Sequence, residues 1–169
     1  MRHQRDGVFY EDPQKTTAQK LVLLMLMPEV QLTAIYRGYH ALHQAGYWRT
    51  ATIAYLITKR RYACDISPAA VVGGGLRITH CSDIVIGPEV VIGEDAIIFN
   101  GTTFGNRLGG SELGMPQLGN RVLVGTGAKI LGKFTVGDDA RIGANAVVLK
   151  EVPARCVAVG IPAQIKARG

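Results

Sequence analysis

An aliphatic or aromatic residue recurs every six positions through most of the chain after residue 64. The residue that follows it is very often Gly, and the fifth of each six is usually small or β-branched, as at Ala70, Ser82 and Ala96. A fixed period over such a length indicates a repeat architecture in which each repeat is one small structural unit. The recurring residues are Ile66, Val72, Ile78, Ile86, Ile92, Ile98, Phe104, Leu118, Val124, Ile130, Val136, Ile142 and Val148.

Six residues suffice for one short strand and a corner, so three such blocks close a triangular coil. Stacking the coils buries the recurring apolar residues in a continuous column, and the chain holds blocks for about four to five coils. The repeat therefore predicts a mainly β fold, a parallel β-helix over residues 65–169. We attribute the glycines to the backbone freedom that a chain needs where it turns.

Residues 1–64 have helical rather than six-residue periodicity. Asp12-Pro13 followed by Thr16 to Met27 indicates the start of a first helix, and Pro28 suits the first turn of a second helix, which runs to about Gly46. A third helix is predicted over about 47–62. We expect two regions: a small N-terminal α-helical region, 1–64, and the β-helix domain, 65–169, with a glycine-rich loop at 105–117 that leaves the coil.

Composition narrows the classes of function. An apolar share of 47% and a charged share of 19% are typical of a globular protein. The strongest apolar run, 21–27, is too short to span a bilayer, and the N-terminus lacks the features of a secretory signal. Three cysteines form no C-x-x-C pair, which favours free thiols in a reducing compartment. We expect a cytoplasmic protein.

The net charge of +6 is concentrated in residues 1–64, which carry nine Lys and Arg against four Asp and Glu. Basic and aromatic residues do not interleave as in a nucleic-acid-binding module, so we expect no nucleic-acid partner. A solvated helix face is the simplest explanation of the charge. Peripheral contact with an anionic membrane is a weaker alternative.

Two irregularities interrupt the repeat, and in a regular solenoid such places often carry function. The loop is one; the other is a two-residue slip between Ile78 and Ile86, which spans His80. Asp65 precedes His80 by fifteen residues, slightly less than one coil, so the two are expected on neighbouring coils near one corner. A carboxylate that orients an imidazole makes a general base, although a histidine satisfied by the backbone is the alternative.

Other chemistry is less well supported by the residues. Cys81 is expected on the opposite face from His80, and no oxyanion site marks Ser82 as a nucleophile. His40 and His43 lack further ligands, and a zinc carbonic anhydrase needs three histidines where this solenoid has one. We expect no metal.

Several motifs, spread over 34–166, carry a more specific resemblance. The chain resembles the serine acetyltransferase branch of the hexapeptide-repeat acyltransferases, whose repeat forms a left-handed parallel β-helix. The matching motifs are Ile35-Tyr36-Arg37 with His40-Ala41-Leu42, Asp65-Ile66-Ser67-Pro68-Ala69-Ala70, Thr79-His80 before Ile84-Val85-Ile86-Gly87, Gly125-Thr126-Gly127-Ala128-Lys129-Ile130-Leu131-Gly132, Val152-Pro153 and Gly160-Ile161-Pro162-Ala163.

The resemblance implies acetyl-CoA as donor, a homotrimer with active sites between subunits, and a catalytic pair in which Asp65 orients His80. It further implies a backbone oxyanion donor near the loop, for which Gly105 is our candidate. The pantetheine arm of acetyl-CoA is expected to pass Gly127, Ala128 and Ala144. The candidates for contact with the CoA phosphates are Lys129, Lys150 and Lys166.

The acceptor side departs from the family pattern. Thr79 stands where the family has an acidic residue before the histidine, and Gly114-Met115 replaces an Arg-His pair before a proline. The replaced groups suit the ammonium and carboxylate of an amino acid. These differences favour a sugar hydroxyl of surface-polysaccharide biosynthesis as acceptor. Serine, for cysteine biosynthesis, is the alternative, and a non-catalytic trimeric scaffold is an alternative of another class.

Overall fold

A computed structural model describes residues 16–107 and 113–168. Three helices come first: α1 Thr17–Leu26, α2 Pro28–Gln44 and α3 Trp48–Tyr62. The predicted helix start at Asp12-Pro13 lies outside the described residues. Fifteen short strands follow in the described chain: β1 Asp65–Ile66, β2 Val71–Val72, β3 Arg77–Thr79, β4 Val85–Ile86, β5 Val91–Ile92, β6 Ile97–Phe99, β7 Thr103–Gly105, β8 Gln117–Leu118, β9 Leu123–Val124, β10 Lys129–Leu131, β11 Thr135–Val136, β12 Arg141–Ile142, β13 Val147–Val148, β14 Cys156–Val159 and β15 Gln164–Ala167.

The strands form three sheets, because each strand up to β10 pairs in parallel with the strand three places later in the chain. Sheet A is β1-β4-β7-β10-β13, sheet B is β2-β5-β8-β11, and sheet C is β3-β6-β9-β12-β14-β15. One passage through A, B and C is one coil. The final strand, β15, reverses and pairs antiparallel with β14. The predicted architecture, a parallel β-helix behind a small helical region, is confirmed.

The recurring apolar residues form the core of the coils. All thirteen are buried, with exposed fractions of 6% or less. Most of the small residues at the fifth position are buried as well, but Ser82 is exposed. The two-residue slip moves Ser82 out of register, and Ile84, with no exposed surface, fills the buried corner instead.

Glycines of the repeat have a different role from the one that we expected. None of those that directly follow a recurring apolar residue has a left-handed backbone. Most of them are required because successive coils approach closely: a Cβ at Gly93 would lie 2.6 Å from the carbonyl carbon of Gly119. The left-handed corner positions are occupied elsewhere in the repeat, for example by Asp95 and Asn145. The attribution of these glycines to backbone freedom was therefore wrong.

The helical region covers the first coil, whose outward backbone groups have no preceding coil to bind. Side chains of α2 meet this need by donating to carbonyl oxygens of the coil, which leaves fewer unpaired buried groups. The donors are Tyr36 to Ala70 (2.7 Å), Tyr39 to Ile66 (2.8 Å), His40 Nδ1 to Pro68 (2.8 Å), and Arg37 to both Val72 and Gly73.

None of the helices in the described residues is both long and apolar enough to cross a membrane.

The predicted loop interrupts a single coil, between its sheet A strand and its sheet B strand. Strand β7 ends at Gly105 and β8 begins at Gln117, so the intervening segment connects sheet A to sheet B. Residues 108–112, in its middle, lie outside the described part of the chain.

Candidate active site

The slip in the repeat produces an unusual turn between β3 and β4. His80 and Asp83 both have left-handed backbone angles, φ 60° and 53°, and the Ser82 amide donates to the His80 carbonyl at 2.8 Å. Such angles are unfavourable for non-glycine residues and are enriched at functional sites. The side chain of His80 is exposed.

This turn lies at one edge of the solenoid, which we call the C–A edge because the chain passes there from sheet C to sheet A. The same edge in later coils has ordinary turns with one left-handed residue each, at Gly101, Gly127 and Asn145. The wider turn at His80 is therefore a local departure from the repeat. It presents an imidazole where the other coils present small residues or an amide.

Backbone hydrogen bonds attach the His80 turn directly to the start of the first coil. The Asp83 amide donates to the Ala63 carbonyl at 2.9 Å, and the Asp65 amide donates to the Ile84 carbonyl at 2.7 Å. His80 and Asp65 consequently belong to the same corner of the solenoid, on successive coils.

The Asp65 side chain, however, contacts α3 rather than the imidazole. Its Oδ1 accepts a hydrogen bond from the Tyr55 hydroxyl and its Oδ2 accepts one from Lys59 Nζ, both at 2.5 Å. Within the described chain the imidazole of His80 makes no hydrogen bond to this carboxylate. The expected hydrogen-bonded pair is thus not formed in the single chain, where the side-chain partners of Asp65 are the two donors of α3.

Sequence reasoning missed Tyr55 and Lys59. They lie four residues apart on α3, on one face of the helix. The sequence shows that Tyr55 and Lys59 lie only a few residues before Asp65, since α3 ends three residues before β1 begins. It does not show the direction of the helix relative to the first coil.

Several candidates for CoA contact share the C–A edge with His80. Gly127 and Ala144 lie in its turns, and Lys129 reaches back to it, donating to the Gly101 carbonyl at 2.5 Å and to Thr103 Oγ1 at 3.1 Å. Ala128 is fully buried, so only its backbone is available to a ligand. This edge offers a row of turns that a long, narrow ligand can follow.

Other candidates lie elsewhere. Gly105 ends β7 at the edge between sheets A and B, where its carbonyl accepts from the Gly132 amide at 2.9 Å. Lys150 follows β13 at the same A–B edge, and Lys166 lies on β15 of sheet C; both are exposed. One chain therefore does not bring the oxyanion candidate Gly105 to His80, because sheet A separates their edges.

The three acceptor candidates are also divided. Thr79 ends β3 beside His80, whereas Gly114 and Met115 precede β8 at the A–B edge. The Gly114 amide donates to Asn106 Oδ1 at 3.3 Å, and Met115 packs partly buried next to Gly87. Within one chain these residues do not line a common pocket.

Thiols near the site are poor nucleophiles. Cys64, Cys81 and Cys156 are free, and burial raises the pKa of both Cys64 and Cys81. A thiol whose pKa is raised holds less of the reactive thiolate at neutral pH. The described residues include no group of three or more His, Cys, Asp or Glu that could hold a metal ion.

Comparisons with known proteins relate this chain to a family of transferases. The family described as bacterial transferase hexapeptide (six repeats) matches residues 115–150. A serine acetyltransferase of Helicobacter pylori (strain J99) is 40% identical over 159 residues, which cover 94% of this chain and 92% of that protein. The serine acetyltransferase of Mycobacterium tuberculosis is 40% identical over 156 residues, covering 91% and 66% of the two chains.

Solved structures give the same result. The serine acetyltransferase of Brucella abortus strain S19 in complex with coenzyme A superimposes with a TM-score of 0.83 at 30% identity, covering 95% of this chain and 64% of that one. The serine acetyltransferase of Neisseria gonorrhoeae in complex with serine gives 0.80 at 30% identity, covering 94% and 64%. This chain thus spans slightly less than two thirds of the length of these two structures.

The chain belongs to the serine acetyltransferase family of the hexapeptide-repeat acyltransferases. It has the left-handed parallel β-helix of that class, and its class of activity is acetyl-CoA-dependent O-acetyl transfer.

Proposed function

We propose that this protein transfers the acetyl group of acetyl-CoA to the hydroxyl of L-serine, yielding O-acetylserine for cysteine biosynthesis and free CoA. The observation that supports this most strongly is the 40% identity to the Helicobacter pylori serine acetyltransferase over nearly the whole of both chains. The aligned residues cover 92% of that relative, so the name serine acetyltransferase belongs there to a chain of similar length.

His80 acts as the general base in this proposal. Its imidazole takes the proton of the acceptor hydroxyl, and the oxygen attacks the thioester carbonyl to form a tetrahedral intermediate. The carbon–sulfur bond then breaks, and the thiolate of CoA takes the proton back from the imidazolium. The exposed position of His80 supports this role, because an acceptor can reach it from solvent.

A homotrimer completes the site. Within one chain, His80 lies at the C–A edge while Gly105, Gly114 and Met115 lie at the A–B edge. A site that uses both edges needs two copies of the chain, with the C–A edge of one facing the A–B edge of the next. CoA would then follow the turns at Gly127 and Ala144.

A sugar hydroxyl is the second candidate acceptor, favoured by the residues at positions 79, 114 and 115. Thr79 and Met115 carry no charge, and Gly114 has no side chain to offer. An amino acid's charged groups bind best to charged or hydrogen-bonding partners. A site without them suits a neutral polyol better.

The acceptor is tested by following thiol release from acetyl-CoA with L-serine and, separately, with a panel of sugars and nucleotide sugars. Mass spectrometry of the product identifies the acetylated molecule. We expect turnover with L-serine. Turnover with a sugar while L-serine is inert would contradict the serine assignment and establish the second candidate. No transfer to any hydroxyl, with CoA still bound, would favour a scaffold.

His80→Ala tests the base in the same assay. General base catalysis contributes roughly 10²–10⁴-fold, so we expect kcat to fall by that factor while the trimer and its circular dichroism are unchanged. Ser82→Ala is the matched control, since Ser82 is exposed in the same turn. Equal turnover of His80→Ala and the wild type would remove His80 from the mechanism.

A further inference from the structure

Two hydrogen-bond donors of helix α3 contact a single carboxylate at the edge of the candidate site. Tyr55 and Lys59 lie one helical turn apart, and each donates to a different oxygen of Asp65 at 2.5 Å. The side chains of Lys59 and Asp65 are 45% and 32% exposed, so solvent only partly screens the ion pair. Asp65 is thereby held in one orientation by the helical region.

Both donors keep their protons at neutral pH. The hydrogen bond to Asp65, then that to Tyr55, raises the pKa of the Lys59 ammonium. Burial, followed by the hydrogen bond to Asp65, raises the pKa of the Tyr55 phenol. Tyr55 therefore donates as a neutral hydroxyl, while Lys59 brings a full positive charge to the carboxylate.

Asp65 shares its corner with His80, as the hydrogen bonds between the two segments show. A carboxylate offers about four lone-pair positions, so two donors from α3 leave room for a further one. We propose that Tyr55 and Lys59 are positioning residues, which hold the carboxylate of Asp65 in one orientation and offset part of its negative charge at the corner that it shares with His80. This inference rests on the proposed role of His80 as the base.

The remaining ionisable groups around this corner contribute less charge. Tyr39 of α2 is a neutral phenol, since burial raises its pKa, and the thiols of Cys64 and Cys81 are neutral for the same reason. Asp83, in the turn, and Glu29, at the start of α2 and electrostatically coupled to Cys81, add negative charge. Lys59 is the cation paired with Asp65 in the described chain.

Removal of the Lys59 charge is expected to move the pH profile of kcat/KM toward higher pH. Without Lys59, Asp65 keeps its full negative charge and stabilises the protonated imidazole, so a higher pH is needed to free the base. In Lys59→Met we expect the acidic limb of kcat/KM against pH to move up by about half a unit to one unit. Lys59→Arg, which keeps the charge, should restore most of the wild-type profile.

Arg60→Met is the matched control. It removes the same charge from the next residue of α3, which is exposed and has no hydrogen bond or ion pair in the described chain. We expect its acidic limb to coincide with that of the wild type. An equal displacement in Lys59→Met and Arg60→Met would overturn the proposal, because the effect would then come from net charge rather than from the contact.

A second measurement does not depend on activity. The ring resonances of His80 are assigned by their loss in His80→Asn, and their midpoint of titration is measured by NMR in the wild type and in Lys59→Met. We expect the midpoint to rise in the variant, and by less in Tyr55→Phe. An unchanged midpoint in a folded Lys59→Met, or in Lys59→Gln should the first variant not fold, would overturn the inference. If the midpoint differs between Lys59→Met and the wild type, but the wild type acetylates no acceptor, the proposed function alone would be rejected.

Discussion

The coils and the helical region of this protein are stabilised in different ways. In the coils, a recurring apolar residue is buried at every step, and each coil repeats the contacts of the previous one. In the helical region, Ile53, Leu56 and Ile57 of α3 are more than half exposed, and the attachment to the coils uses side chains that donate to one particular coil. A periodic apolar column thus carries the solenoid, while individual hydrogen bonds fix the helices on it.

The largest difference between the two regions is expected in the free energy of unfolding when a core side chain is truncated. Phe104 has no exposed surface and lies in the middle of the column. We expect Phe104→Ala to lower the free energy of unfolding by about 3–5 kcal/mol, because the cavity forms where neighbouring coils cannot collapse. Chemical denaturation at matched protein concentration measures it.

Ile57→Ala, in α3, is the comparison for that variant. Ile57 is 64% exposed, so its truncation should change the free energy of unfolding by less than about 0.5 kcal/mol. A large loss in Ile57→Ala would show that the exposed face of α3 is covered in the assembled protein, and the contrast between the regions would fail.

A substitution at a glycine tests the close approach of successive coils. A Cβ at Gly93 would lie 2.6 Å from both the carbonyl carbon and the carbonyl oxygen of Gly119. We expect Gly93→Ala to destabilise by about 1–3 kcal/mol, since backbone atoms have to move apart. The midpoint of thermal unfolding should fall accordingly.

Gly74→Ala is its control, because nothing lies within 4 Å of a Cβ there and the backbone is not left-handed. We expect this variant to match the wild type or to exceed it slightly, since alanine restricts the unfolded chain. Equal losses in both variants would mean that backbone freedom, and not the approach of coils, explains these glycines.

A smaller loss than those of Phe104→Ala and Gly93→Ala is expected at the junction of the two regions. Tyr39→Phe removes the donor to the Ile66 carbonyl and leaves that buried oxygen unpaired, at a cost of about 1–2 kcal/mol. Tyr47→Phe should cost nothing measurable, because Tyr47 is 64% exposed and its hydroxyl makes no hydrogen bond in the described chain. If both variants behave alike, the tyrosine contacts do not fix the helices.

Much of the fold followed from local patterns. The six-residue period identified all thirteen recurring apolar residues of the core, from Ile66 to Val148, and the prolines and glycines placed the helix ends within a few residues. For the site, the slip at His80 correctly marked an irregular turn. The partners of Asp65 were not predictable, because they depend on how α3 lies across the first coil.

The sequence by itself determined the repeat, the number of coils and the position of the irregular turn. These follow from the period of apolar residues, since a strand period and its interruptions are properties of neighbours along the chain. Only the tertiary structure decided that α3 holds Asp65, and that Gly105, Gly114 and Met115 lie across sheet A from His80. Those relations depend on the closure of the coil and the packing of a helix on it, which join residues that no local pattern connects.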